Sequence, residues 1–220
     1  MQNPFLLHAG LMIIAWLVLL PSGAMIARFC KVTRHQDWPR VLDNQLWWWL
    51  HRVLQYCGIA TASAGLAIVW YATGRLDIQV LHVQVGVAVL ALAFLQIAST
   101  WLRGSKGGPT GSGAERDQPL TWRGDHYDMT PRRRMFEFWH KKFGWLSILL
   151  ALLAVFLGLQ LYGWPRSLCI ACMAIILLQA GNLTWLMRTS RRISTYQALW
   201  GPDPRHPGNR KDPGQNQAGP

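Results

Sequence analysis

Five long apolar runs, at about 5–27, 46–71, 78–102, 135–162 and 168–187, constrain this chain more than any other feature. Each is long enough to cross a hydrocarbon core, which takes roughly 20 helical residues. Backbone polar groups have no water to bond in lipid, so a spanning segment of this kind must satisfy them internally as a helix. The expected fold is therefore all-α: an integral membrane bundle of about five transmembrane helices. The first run lacks a basic leader and is too long for the core of a signal peptide, so it reads as a retained helix.

Charge then orients the bundle. The chain carries a net charge of +12, which on a soluble protein would suggest nucleic acid. Here the basic residues fall in alternate connections. Arg28, Lys31, Arg34 and Arg40 follow run one. Arg103, Lys106, Arg116, Arg123, Arg132, Arg133 and Arg134 separate runs three and four, with Lys141 and Lys142 close by. Arg188, Arg191, Arg192, Arg205, Arg210 and Lys211 follow run five. Arg75 and Arg166 stand alone on the other side. Positive charge marks the cytoplasmic face, so the N-terminus is expected outside and the C-terminus inside, in a plasma or inner membrane. Trp47, Trp48, Trp49, Trp70, Trp101, Trp139, Trp164 and Trp185 lie near run ends, as interfacial anchors do.

The expected organisation is one transmembrane domain over 1–190 and a disordered basic tail over 191–220. The Gly- and Pro-rich segment 103–131 reads as a flexible cytoplasmic loop. No G-x-G-x-x-G after a strand and no Walker pattern occurs, so nucleotide chemistry would belong to a partner. Cys169 and Cys172 form a C-x-x-C at the start of run five, a spacing open to redox or metal chemistry but at a helix end more often a pair of small apolar fillers.

Ionisable groups inside spans are costly and point to function. Of seven histidines, His35, His126 and His206 fall outside the runs and read as solvated. His8, His51, His82 and His140 each sit a turn or two inside a different run. Alternating helix direction puts His8 and His82 near the outer face and His51 and His140 near the inner one. The two levels should lie roughly 20 Å apart at 1.5 Å per residue. Two facing imidazoles are what a six-coordinate haem iron takes from a helical bundle. Small side chains follow each ligand at helical spacing: Gly58, Ala62 and Gly65 after His51; Gly86 and Ala93 after His82; Gly144, Ser147, Ala151, Ala154 and Gly158 after His140. Such stripes either open a slot for a macrocycle or let helices pack closely. Arg52, Lys141 and Lys142 at the inner level and Arg75 at the outer one are candidate partners for haem propionates.

These residues also resemble the cytochrome b561 family, in the form attached to DOMON domains in ferric-reductase-like transmembrane proteins. The first helix has His8, Trp16, Pro21-Ser22-Gly23 and Ala27-Arg28-Phe29, similar to the family's first haem helix. Trp49-Leu50-His51 with Gln55, His82-Val83-Gln84-Val85-Gly86 and His140-Lys141-Lys142-Phe143-Gly144 resemble the remaining three. The resemblance implies two haems b, paired His8–His82 and His51–His140, and electron transfer between a cytoplasmic and an extracytoplasmic partner, with ferric ion or monodehydroascorbate as acceptor. It also implies a homodimer. Ascorbate-using members open the third helix with Ser-Leu-His-Ser-Trp, where this chain has Val80-Leu81-His82-Val83-Gln84. No DOMON domain is expected before run one. Two other readings stay open: a quinol-linked cytochrome subunit using Gln55, Gln96 or Asp77, and a haem-free metal transporter or membrane assembly protein.

Overall fold

The computed structural model describes residues 3–115, 118–190, 193–204 and 206–209. Among them there are helices and turns and no strand. Five helices are long and apolar enough to cross a membrane: α1 Pro4–Phe29, α2 Leu46–Thr73, α3 Leu81–Arg103, α4 Pro131–Leu161 and α5 Arg166–Thr189. They match the five predicted runs. A short α6, Thr195–Trp200, follows.

Local chemistry sets the ends. The Asn3 side chain accepts the Phe5 N–H ahead of Pro4, and the Thr130 hydroxyl accepts from Arg133 N ahead of Pro131. In both, the first-turn proline has no amide to leave unpaired. Gly74 ends α2 at φ 69°, a left-handed turn that favours glycine. The last turn of α3 tightens to a 3-10 helix over Thr100–Arg103.

The middle of α1 widens to a π-helix over Ile14–Leu19. Pro21 explains this, because it cannot donate to the Leu17 carbonyl one turn back. Side chains of other helices donate to carbonyls around the break. Gln179 of α5 donates to Leu17 O at 3.0 Å and Val18 O at 3.3 Å, and contacts Ser22 Oγ at 3.1 Å. Gln55 of α2 donates to Leu20 O at 3.0 Å. The fifth helix is thus pinned to the first by an amide that repairs its break.

The buried core joins four helices: Ala15, Trp16 and Leu20 of α1, Ile59 and Ala62 of α2, Val89, Leu90 and Ala93 of α3, and Ala151 of α4. A second cluster of Ile13, Leu17 and Cys172 seats α5 on α1. Cys172 is therefore packing material there, and the four cysteines are free thiols. Large apolar side chains such as Leu149, Phe156, Leu177 and Leu178 cover the outside, as a lipid-facing surface requires.

On the basic face, described residues of 103–131, a segment that reads as a flexible loop, are bonded to one another: Gly108 N donates to Trp122 O at 2.8 Å, and His126 N to Ser105 O at 3.0 Å. Beyond α5, Ser194 caps α6, and α6 packs onto that segment. Residues 191, 192, 205 and 210–220 lie outside the described residues. Glycine and proline content suggested freedom. Aromatic burial by Trp122, Tyr127, Tyr196 and Trp200, which composition does not reveal, supplied the order.

Candidate functional site

The four intramembrane histidines are built into the bundle in a common way. His8 Nδ1 donates to the Gly65 carbonyl of α2 at 2.9 Å. His51 Nδ1 donates to the Gly23 carbonyl of α1 at 3.0 Å. His82 Nδ1 donates to the Ala154 carbonyl of α4 at 2.9 Å. A carbonyl can only accept, so each of these three rings carries its proton on Nδ1 and keeps the Nε2 lone pair. Ligating histidines are oriented in this manner by a second partner behind the ring. The His140 Nδ1 is buried and has no partner. Its ring instead stacks on Phe136, with centroids 5.1 Å apart.

These anchors also measure depth. His51 and the residue that holds His8, Gly65, are fourteen positions apart on α2. His140 and the residue that holds His82, Ala154, are fourteen apart on α4. At 1.5 Å per residue both helices put the two levels roughly 21 Å apart. The packed core of Trp16, Ile59, Ala62, Leu90 and Ala93 fills the space between.

At the upper level the His8 and His82 ring centroids are 6.1 Å apart, with the ring planes at 87°. Two imidazoles on one metal, each with a bond of ~2.0–2.1 Å and a ring centre about 1.1 Å behind the nitrogen, stand roughly 6 Å apart. The pair borders an apolar cavity of about 100 Å³, lined also by Met12, Trp16, Leu66, Gly86, Val89, Ala151 and Ala154. At the lower level His51 and His140 are near enough to interact electrostatically. Trp48 lies 6.3 Å from the His51 ring.

The small-residue stripes divide between the two roles open to them. A Cβ on Gly58 would sit 2.7 Å from Leu20, and one on Gly65 3.3 Å from Leu11, so these glycines let α1 approach α2. A Cβ on Gly158 would sit 2.9 Å from His82, so that glycine makes room for the ring itself. A Cβ on Gly86 or Gly144 would meet no atom within 4 Å, and these two leave space open.

The candidate basic partners are placed differently from one another. Arg52 lies over Trp49 at 5.0 Å and near Trp48 and Tyr56. Lys141 pairs with Glu137 at 2.8 Å, and Lys142 lies over Phe138 at 5.8 Å. Arg75 is exposed beyond the end of α2. Of the candidate quinone contacts, Asp77 caps its own turn, accepting from Gln79 N at 3.1 Å, Gln55 donates to Leu20 O of α1, and the Gln96 Oε1 is buried without a partner.

Sequence reasoning missed a polar cluster beneath the lower level. Glu137 accepts from Arg133 at 2.9 Å, Lys141 at 2.8 Å and Tyr196 at 2.5 Å. Arg133 also meets His126 Nε2 at 3.1 Å, and its Nη1 is buried without a partner. His126 and His206, expected to be solvated, are buried. Burial, followed by the nearby Arg133 cation, pushes His126 down to about 3. Burial holds the Tyr196 phenol well above its ordinary range, with Glu137 adding to it. The Arg133/Glu137 pair at spacing i, i+4 was visible in the sequence. Its partner, Tyr196, is fifty-nine residues away and was not.

An integral membrane bundle with histidines paired across its interior is the class that this fold and site define. Comparison with known proteins narrows the class: the chain is cytochrome b561-like. It is 25% identical over 156 residues, 71% of its length, to a cytochrome b561, DM13 and DOMON domain-containing protein of Arabidopsis thaliana. It is 28% identical over 157 residues to human Ferric-chelate reductase 1. A cytochrome b561 and DOMON domain-containing protein of Arabidopsis thaliana matches at 26% over 183 residues, 78% of the chain. The chain spans 14%, 22% and 33% of the length of these three relatives. No family model matches it, and no solved structure does.

Proposed function

We propose that the protein is a di-haem b-type cytochrome that carries electrons across a membrane, with His8 and His82 as the axial pair of one haem and His51 and His140 as the pair of the other. The observation that carries the reading is the anchoring of three of these rings by Nδ1 to backbone carbonyls, with His8 and His82 spaced as two ligands of one iron. Haem supplies reversible one-electron exchange when bound between two imidazoles. The residues present fit that group at the metal: they offer two Nε2 lone pairs over an apolar cavity. The enclosed part of that cavity is smaller than a tetrapyrrole, so occupancy needs the open side by Gly86.

The chain's own part is positioning and exclusion. The carbonyls of Gly65, Gly23 and Ala154 fix ring direction. The core between the levels keeps water out of the middle of the bundle. Arg133, with a buried free Nη1, is better placed than Arg52 or Lys141 to meet an anionic group at the lower level. Among the described residues no group of three or more His, Cys, Asp or Glu side chains is gathered to hold a bare metal ion, which favours haem over the transporter reading.

The charge distribution supports an extracytoplasmic N-terminus and a cytoplasmic C-terminus. The name Ferric-chelate reductase borne by two relatives supports a ferric chelate as the acceptor. A donor would then meet the basic face. Dithionite-reduced minus oxidised spectra with pyridine haemochrome quantification test the reading. Two haems b per chain, falling to one in His140→Ala with the other band intact, is the expected result. A folded chain reconstituted with haem that binds none, or a His140→Ala protein that loses neither band, would overturn it.

A further inference from the structure

The pairing of α3 with α4 keeps one register from the upper histidine level to the lower. At the upper level His82 Nδ1 donates to Ala154 O at 2.9 Å. Seven residues inward on each helix, Val89 and Ser147 are both buried, at 1% and 5% exposure. Seven residues beyond these stand Gln96 on α3 and His140 on α4. Past that point Arg132 of α4 donates to Leu102 O at 3.0 Å and to Trp101 O at 3.1 Å, both on α3. The antiparallel register is thus fixed on either side of Gln96 and His140. A step of seven residues returns to the same helix face within about 20°. Gln96 and His140 therefore share one level, on the stripes that the two helices turn toward each other.

Each of the two carries a buried polar atom without a partner, Gln96 Oε1 and His140 Nδ1. Among the described residues, the other such side-chain atoms are Arg133 Nη1, in the first turn of α4, and atoms of Trp200, His206 and Asn209, outside the spans. Buried polar groups are nearly always paired in native proteins, and each exception asks for an explanation. These two are complementary. A carboxamide oxygen only accepts, and a neutral imidazole that offers Nε2 to a metal carries its proton on Nδ1, which can only donate. His8, His51 and His82 each place that proton on a carbonyl of a neighbouring helix.

We infer that Gln96 is the positioning residue of His140. Its Oε1, at the end of a flexible side chain, turns to accept the His140 Nδ1–H and gives the fourth ring the hold that carbonyls give the other three. The inference rests on the di-haem reading, which sets the side of the ring that bears the proton. An acceptor behind a ligating ring fixes its direction and raises its basicity, which favours the ferric state of an iron on Nε2. The third helix, whose own histidine serves the upper level, thereby takes part in the lower one.

Two measurements on the detergent-purified full chain test this. One is a potentiometric titration, with each haem wave assigned by its loss in His140→Ala or His82→Ala. The other is the 15N spectrum of the dithionite-reduced chain labelled at histidine. Gln96→Leu should raise the potential of the His51–His140 haem alone and weaken its retention about tenfold. Gln96→Glu, a stronger acceptor, should lower the same potential, a reversal that loss of packing would not produce. The Nδ1–H resonance that His140→Ala removes should move in Gln96→Leu, and those of the other three rings should stay. Thermal unfolding checks that each variant folds. A folded Gln96→Leu protein in which either that wave or that resonance stays in place would overturn the assignment. A chain that holds fewer than two haems would count against the di-haem reading instead, and its histidine spectrum would still decide the contact.

Discussion

Replacing Gln179 by leucine isolates the contact that fastens α5 to the bundle. The side chain is partly buried, and its amide serves Leu17 O, the carbonyl to which Pro21 cannot donate, and Val18 O beside it. Leucine keeps most of the volume and the apolar contact while removing this donor from both carbonyls. A buried acceptor left without a donor costs about 1–3 kcal/mol in soluble proteins. Hydrogen bonds between membrane helices average nearer ~0.6 kcal/mol, because the loosened state finds other partners. A loss of about 1–3 kcal/mol for the pair is therefore expected, read as a lowered midpoint in detergent-titrated unfolding. Pro21→Ala sharpens the test. Alanine restores the amide that bonds Leu17 O along a regular helix, so Gln179→Leu should cost clearly less in that background. Equal costs in the two backgrounds would refute the account in which Gln179 repairs the proline break, even if each single variant were destabilised.

Other outcomes follow from the site and the basic face. Glu137→Gln leaves Arg133 without its carboxylate and should cost about 3 kcal/mol or more, the usual result of breaking a buried pair; protease cleavage after 193 should speed up, and unchanged cleavage would count against Glu137 holding α6 through Tyr196. His126, ordinarily near 6.5, is held near 3 in the fold, so the unfolded chain binds the extra proton between these values. The stability of the Tyr196–His126 contact should accordingly be full above about pH 6.5 and fall on acidification, by at most about 1.4 kcal/mol per pH unit, and His126→Phe should flatten that profile. Lys31, lowered to about 8 chiefly by burial with Arg28 adding to it, gives the same sign in a higher window: stability should rise between about pH 8 and 10.5, an increment that Lys31→Met removes. On the proposed di-haem reading, Gly158→Val would press on the His82 ring and should shift or abolish the band of the His8–His82 haem alone, whereas Gly144→Ala, which meets open space, should leave that band untouched.

The spans, their number and the two histidine levels were legible in the sequence because each is a one-dimensional signal. Hydropathy over about 20 residues marks a span, alternation of helix direction fixes depth, and fixed rise converts position to height. The identities of His8, His51, His82 and His140 as intramembrane groups came from the same arithmetic. Other features depend on which residues meet across helices, and no local pattern encodes that. The sequence could not say that Gly65, Gly23 and Ala154 would supply the carbonyls behind three rings. It could not tell the packing glycines, Gly58 and Gly65, from the open ones, Gly86 and Gly144, since all four sit on the same kind of stripe. Nor could it foresee that Gln179 closes the gap left by Pro21, or that Tyr196, Trp200 and His206 fold back on a Gly- and Pro-rich segment to bury His126. Composition measures what a segment can bury by itself. Burial against a distant segment is decided only when the tertiary structure brings the two surfaces together.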